Sequence, residues 1–409
     1  MTHIRLTLAV AISIGWLHAA DVTLPSTNEM LALKNRFFAA AIHPETHLIY
    51  GRVNLGDPDH WKNAVFASPD SIRETTNTDR EVPNISNCAF AGGLFLGQLI
   101  DIYAVTHDKA VPAQARTVFE GLRSLSHASQ RKGFIARCLL PGDPSKAHFL
   151  NSSVDQYTFF VYGLYKYFHS PLSSESEKAE MREIMRDICA MIEHDGTILG
   201  TNGAPGWVSD IEAIRSDRSS RMLEVFLVGY DFTRDPHWRE VYLEKVREAS
   251  YARIRSQLDP MMVRFNYVPR DLKRGSEYGD VNSLWQTQYS LVPLVELETE
   301  LPLKAAFIEA MRVGANVAER YGKAGVEVQI VMLAQNREVI EPVENSGDHS
   351  YQDALRSRCA ILLKTIPFFR TDLPKGDALA ASVTHVGVPW VAAADVYWTG
   401  ILRKVIEQK

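Results

Sequence analysis

Apolar positions along this chain recur with helical period, in two kinds of segment that alternate. The first kind is apolar almost all round, as in "AFAGGLFLGQLIDIYAVTHD", and predicts a buried helix. The second kind is amphipathic, as in "VPAQARTVFEGLRSLSHASQ", with Pro112 in its first turn where a helix tolerates proline. The pair recurs. "SSVDQYTFFVYGLYKYF" precedes "SSESEKAEMREIMRDICAMIEHDG", which opens on Ser and Glu and closes on Gly196. "SSRMLEVFLVGYDFT" precedes "DPHWREVYLEKVREASYARIRS", and "DVNSLWQTQYSLVPLVELE" precedes "LPLKAAFIEAMRVGANVAERYG". "SYQDALRSRCAILLKTI" precedes a weaker helix at 377–383. One large residue near the front of each buried helix (Phe90, Tyr157, Met222, Trp285, Asp353) marks intervals of 67, 65, 63 and 68 residues.

A period of that length, made of two helices and a long polar loop, is a repeat architecture. One helix is left over at each end, at 26–42 and 389–408. If these two pair, six hairpins close into a ring and the open faces of a solenoid disappear. The expected fold is therefore all-α, an (α/α)6 toroid with buried helices inside and amphipathic helices outside, in one domain over 21–409. The loops entering the inner helices are long, at 43–87, 131–151, 197–215, 256–280 and 321–348, and converge on one face. Long loops on a compact helical domain usually carry function. The alternating stretch 325–343 predicts a small β-hairpin on that face.

The first twenty residues break the pattern. "MTHIR" and the apolar "LTLAVAISIGWL" before "HAA" read as a signal peptide cleaved after Ala20, which predicts a secreted or periplasmic protein. A net charge of -5 and the lack of a basic run argue against a nucleic-acid partner, and no membrane insertion is expected after signal removal. Export permits a disulfide between Cys88 and Cys138, although sequence alone leaves the pairing open. Cys189 and Cys359 sit among apolar neighbours and read as small buried thiols.

Each inner helix offers its N-terminal end to the loop face, where free N–H groups and the positive dipole end favour anions. Asp155 lies in such a first turn, and position alone suits it equally to supporting a cap or to serving a site. Around the inner-helix starts and the loops before them lie Arg80, Asn87, Gln156, Tyr157, Trp207, Arg221, Trp285, Gln286 and Trp390. Rings that pack on sugar faces, mixed with amides and charges that bond hydroxyls, suit a carbohydrate groove; the same rings equally serve to seal the end of a barrel. Glycoside hydrolysis needs two carboxyl groups across a cleft. Asp155 is the first candidate, with Asp79 or Asp348 as its partner and Asp210 a further option. A polysaccharide lyase instead needs a base, for which His349 and Tyr351 are the candidates with Arg356 close by, and a group that neutralises a uronate, for which Asn87 and Arg80 are available. No phosphate loop, nucleophile elbow, metal motif or cofactor motif is present, and no DDxxD-type acidic run of the kind terpenoid cyclases use.

The segment "GGLFLGQLIDIYAVTHD" resembles an inner-helix segment of six-hairpin glycan-active enzymes such as the unsaturated glucuronyl hydrolases, and "SSVDQYTFFVYGLYKY" resembles the helix start where such proteins place an aspartate against the sugar. The resemblance implies that Asp155 is a site acid. Those hydrolases also use an earlier inner-helix aspartate, whereas this chain reads "NISNCAFAGG", with Asn87 or Cys88 there. The leading expectation is a glycoside hydrolase acting on an acidic or deoxy-sugar oligosaccharide or polysaccharide. A polysaccharide lyase and a non-catalytic glycan-binding toroid are the alternatives.

Overall fold

A computed structural model describes residues 26–50, 57, 59–73, 76, 85, 87–206, 208–267, 279–318, 394–395, 397–398 and 401–402; the side chains at 264–267, 279–285 and 315–318 lie outside that set. In chain order the helices are α1 (Thr27–Ala41), α2 (His60–Asn63), α3 (Pro69–Arg73), α4 (Cys88–Thr106), α5 (Val111–Ser126), α6 (Val154–His169), α7 (Glu175–Asp195), α8 (Ser219–Thr233), α9 (Pro236–Leu258), α10 (Pro260–Tyr267), α11 (Gly279–Leu297) and α12 (Leu301–Ala318). The described residues at 394–402 are helical as well. Among the described residues no strand forms, only the isolated bridges Ile42–Ile49 and Leu199–Pro205.

The two kinds of segment become two layers. In α4 nearly every residue from Cys88 to Leu99 is buried. In α5 only a stripe is buried, including Val111, Ala115, Val118, Leu122 and Leu125. α4, α6, α8 and α11 form the inner layer, and α5, α7, α9 and α12 pack outside them. This is the arrangement of an (α/α)6 toroid. α4 is long and apolar enough to cross a bilayer by composition, yet most of it is buried inside the fold. Local chemistry sets the ends of the elements. Ser26 and Ser174 close capping boxes with Glu29 and Glu177, and Gly196 ends α7 in the left-handed conformation.

Aromatic rings fill the centre. Phe90 of α4 meets Phe159 of α6 at 4.2 Å, and Tyr289 of α11 meets Phe159 and Tyr162 at 5.1 and 5.0 Å. Fully burying one such ring contributes about 1.5–3 kcal/mol. Tyr289 also donates to Asp395 at 2.5 Å, tying the described residues at 394–395 to the inner layer. Thr27 of α1 lies against the Tyr397 hydroxyl, so the two leftover terminal helices meet, as ring closure requires. α4 and α6 come together through glycine: a Cβ on Gly93 would stand 2.0 Å from the Phe159 carbonyl oxygen, and one on Gly163 2.5 Å from that of Gly93.

Toward the C-terminal ends of the inner helices, ion pairs lock neighbours together. Lys166 pairs with Asp101 at 2.5 Å, and Glu298 takes Arg239 at 2.8 Å and Tyr242 at 2.6 Å. The loops into the inner helices are less bare than expected, since α2, α3 and α10 lie within them. These helices have four, five and eight residues, too few for a periodic signal. The outer helix expected to run unbroken over 235–256 leaves helical geometry at Glu248–Tyr251, where φ is positive at Ala249, Ser250 and Tyr251. Arg255 donates to the carbonyls of Ala249 and Ser250, which meets part of the backbone demand at the break. The β-hairpin expected at 325–343, the fifth hairpin and Cys359 lie outside the described residues.

Candidate functional site

The loop after α5 brings the site together. Phe134, Ile135 and Ala136 are buried, and Cys138 is joined to Cys88 at the start of α4 by a disulfide. The Ala89 N–H donates to the Arg137 carbonyl at 3.1 Å. Covalent and backbone ties on either side therefore fix Arg137 over the inner-helix starts. Its guanidinium donates to Asn87 Oδ1 at 3.0 Å and to the Ser153 hydroxyl. Ser153 passes its own proton toward Asp155 Oδ1, so guanidinium, hydroxyl and carboxylate form a short relay.

Asp155 sits in the first turn of α6 and is partly exposed. Desolvation raises its carboxyl, but Arg137, the Ser153 hydroxyl and Arg221 outweigh that and hold it below the usual carboxylate range. The positive end of α6 acts in the same direction. Asp155 is therefore an anion at neutral pH.

Gln156 and Tyr157, which the sequence reading turned toward the groove, serve the framework instead. Gln156 is 0% exposed; its Nε2 donates to Asn87 at 3.0 Å and to Asp155 at 3.3 Å, and its Oε1 accepts from the Phe90 N–H at 3.1 Å. Tyr157 is 0% exposed, donates to the Gly133 carbonyl at 2.9 Å and accepts from the Ile135 N–H at 3.0 Å. Both side chains have their polar atoms committed to protein, and the Tyr157 ring pins the loop that carries Arg137.

Across from α6, Arg221 opens α8. It is 1% exposed and donates to Thr287 of α11 at 3.4 Å. One turn deeper on α8 is Glu224, 0% exposed, with neither carboxyl oxygen bonded to a partner among the described residues. Desolvation raises this carboxyl well above the usual range, and the nearby Arg221 offsets only part of that. Burial thus pushes Glu224 up while its partners hold Asp155 down, and Arg221 acts electrostatically on both carboxyls.

Of the other candidates, Gln286 is buried in α11. Asp210 is held by Arg215 at 3.2 Å and Arg218 at 3.1 Å. Asp79, Arg80, Trp207, Asp348, His349, Tyr351 and Trp390 lie outside the described residues, as does the side chain of Trp285. Arg137, Ser153, Glu224 and Thr287 were not among the sequence candidates. A lone carboxylate in the apolar run "MLEVFLVGY" was the available signal for Glu224. A cavity of about 350 Å³ between α5 and α7 is lined by none of the candidates.

No protein-family profile matches the sequence, and no curated protein matches it. Solved structures do resemble it in fold. The crystal structure of an unsaturated glucuronyl hydrolase specific for heparin matches with a TM-score of 0.50 and 10% identity, over 94% of this chain and 98% of that one. The cellobiose 2-epimerase from Bacillus thermoamylovorans matches with a TM-score of 0.51 and 12% identity, over 93% of this chain and 98% of that one. At these identities the likeness establishes a shared toroid fold and nothing finer.

Proposed function

We propose that this protein is a carbohydrate-active enzyme, and specifically an exported glycoside hydrolase that acts on an acidic or deoxy-sugar oligosaccharide. The observation that carries the reading is Asp155, an ionised carboxylate held between Arg137 and Arg221 at the start of an inner helix. Such a group suits activating a water or stabilising the positive charge that builds at an anomeric carbon. The toroid neighbours that act on a glucuronyl substrate and on cellobiose support the substrate class. The Cys88–Cys138 disulfide and the N-terminal signal pattern support an oxidising, exported setting.

The epimerase likeness supports a second reading, proton transfer at a sugar carbon without cleavage. The chemistry of Asp155 favours hydrolysis over that reading. A carboxylate of lowered pKa is a weak base for a C–H proton, yet an adequate partner for water or for a developing cation. The test is incubation with a panel of acidic and neutral oligosaccharides. Hydrolysis releases new reducing ends; epimerisation changes the sugar without releasing any; a lyase gives a product with a conjugated C=C that absorbs ultraviolet light. A binding protein gives no product but melts at higher temperature with its glycan. No new reducing ends across the panel overturns the hydrolase reading.

A further inference from the structure

We infer that Glu224 is the proton donor of this site, the acid that works with the Asp155 carboxylate on a glycosidic oxygen. The inference rests on the hydrolase reading and deepens it. Its ground is an anomaly of placement. Glu224 lies on α8 where the neighbouring side chains Met222, Leu223, Val225 and Phe226 are all buried and apolar. A buried carboxyl in such a helix costs stability unless it is paired or hydrogen-bonded. Here neither oxygen is hydrogen-bonded among the described residues, although Arg221 stands one turn away on the same helix. Arg221 is drawn elsewhere: it reaches Thr287 on α11 and acts electrostatically on Asp155 of α6. The same guanidinium acts electrostatically on both acids.

The buried serine hydroxyls at the start of α8 are bonded to protein. Ser219 meets Ser256 at 3.1 Å, and Ser290 donates to Ser220 at 2.7 Å. Glu224 is unlike those serines, because neither of its carboxyl oxygens is hydrogen-bonded among the described residues. A carboxyl kept neutral by an apolar wall is the form a general acid needs at neutral pH.

The step balances with what the two acids supply. The glycosidic C–O bond breaks, its electron pair goes to the leaving oxygen, and that oxygen takes the Glu224 proton. A water adds its oxygen to the anomeric carbon and gives a proton to the Asp155 carboxylate. Exchange with solvent returns the proton to Glu224 and removes it from Asp155.

The test uses Glu224→Gln in the full chain. Gln has the shape and neutrality of the protonated acid, so the variant should melt with the parent. Two substrates share one glycosyl group: a natural-type disaccharide, whose leaving alcohol needs a proton, and an aryl glycoside, whose phenol leaves without one. The expected result is a fall of about 10²–10⁴-fold on the disaccharide and a far smaller fall on the aryl glycoside. The infrared spectrum of the parent at neutral pH should show a protonated-carboxyl band that the variant lacks. Equal losses on both substrates, unchanged turnover, or no such band would overturn the role of Glu224. If the parent cleaves no glycoside at all, the hydrolase reading falls and takes the proton-donor role with it. Cleavage by the parent with equal losses in the variant removes Glu224 alone.

Discussion

A single hydroxyl, that of Ser153, lies between the Arg137 guanidinium and the Asp155 carboxylate. It lowers the carboxyl pKa by donating to the charged form. Ser153→Ala should therefore raise the Asp155 pKa, and the acid limb of the pH–rate profile should move to higher pH; an unmoved limb would detach that limb from Asp155. The stability consequence has a definite sign. A carboxyl whose folded pKa is depressed contributes stability that is fully present above its unfolded value, about 3.9 for Asp, and is lost as pH falls through the folded value. Thermal melts of the parent and Asp155→Asn should accordingly differ by a constant amount above about pH 5 and converge in acid. Asp155 itself was legible in the sequence, because a first-turn aspartate at an inner-helix start is a local pattern. Glu224 was not, because its burial depends on how the helices pack, which no local spacing reports. Gln156 and Tyr157 misled for the same reason: residue type made them sugar ligands, and tertiary contacts made them ties.

Helix identity followed from periodicity, which fixes which face is apolar, and α8 begins and ends where the pattern placed it. What periodicity does not carry is how closely two helices approach. The pair "GG" at 92–93 shows this. A Cβ on Gly92 would meet only the Leu122 side chain at 3.0 Å, which can rotate, whereas one on Gly93 would meet Phe159 backbone at 2.0 Å. Gly93→Ala should force α4 and α6 apart and cost about 1–3 kcal/mol or more, read as a clear fall in Tm. Gly92→Ala should lower Tm far less. Equal effects would mean that the α4–α6 crossing is not glycine-limited. The break in α9 was illegible too, since the run across 248–251 carries no proline or glycine to announce it.

For the whole molecule, the 65-residue period and the two leftover helices were enough to anticipate a closed ring, because an open array would leave apolar faces in water. The cysteine pairing was not decidable from sequence; the fold decides it by bringing the 131–151 loop to the start of α4. That cross-link spans 50 residues of chain. Replacing Cys88 and Cys138 by Ser should cost about 2–4 kcal/mol in denaturant melts. It should also loosen the loop that carries Arg137, so turnover should fall by more than the unfolded fraction explains. A variant as stable and active as the parent would show that the backbone ties alone hold that loop.

A charged Asp155 at the start of α6 is proposed to act on a glycosidic bond. It is tested most directly by measuring new reducing ends from an acidic oligosaccharide with the parent protein and with Asp155→Asn, both shown to be folded. Release by the parent is expected, with a fall of about 10²–10⁴-fold in the variant. Release at the same rate by both proteins would contradict it.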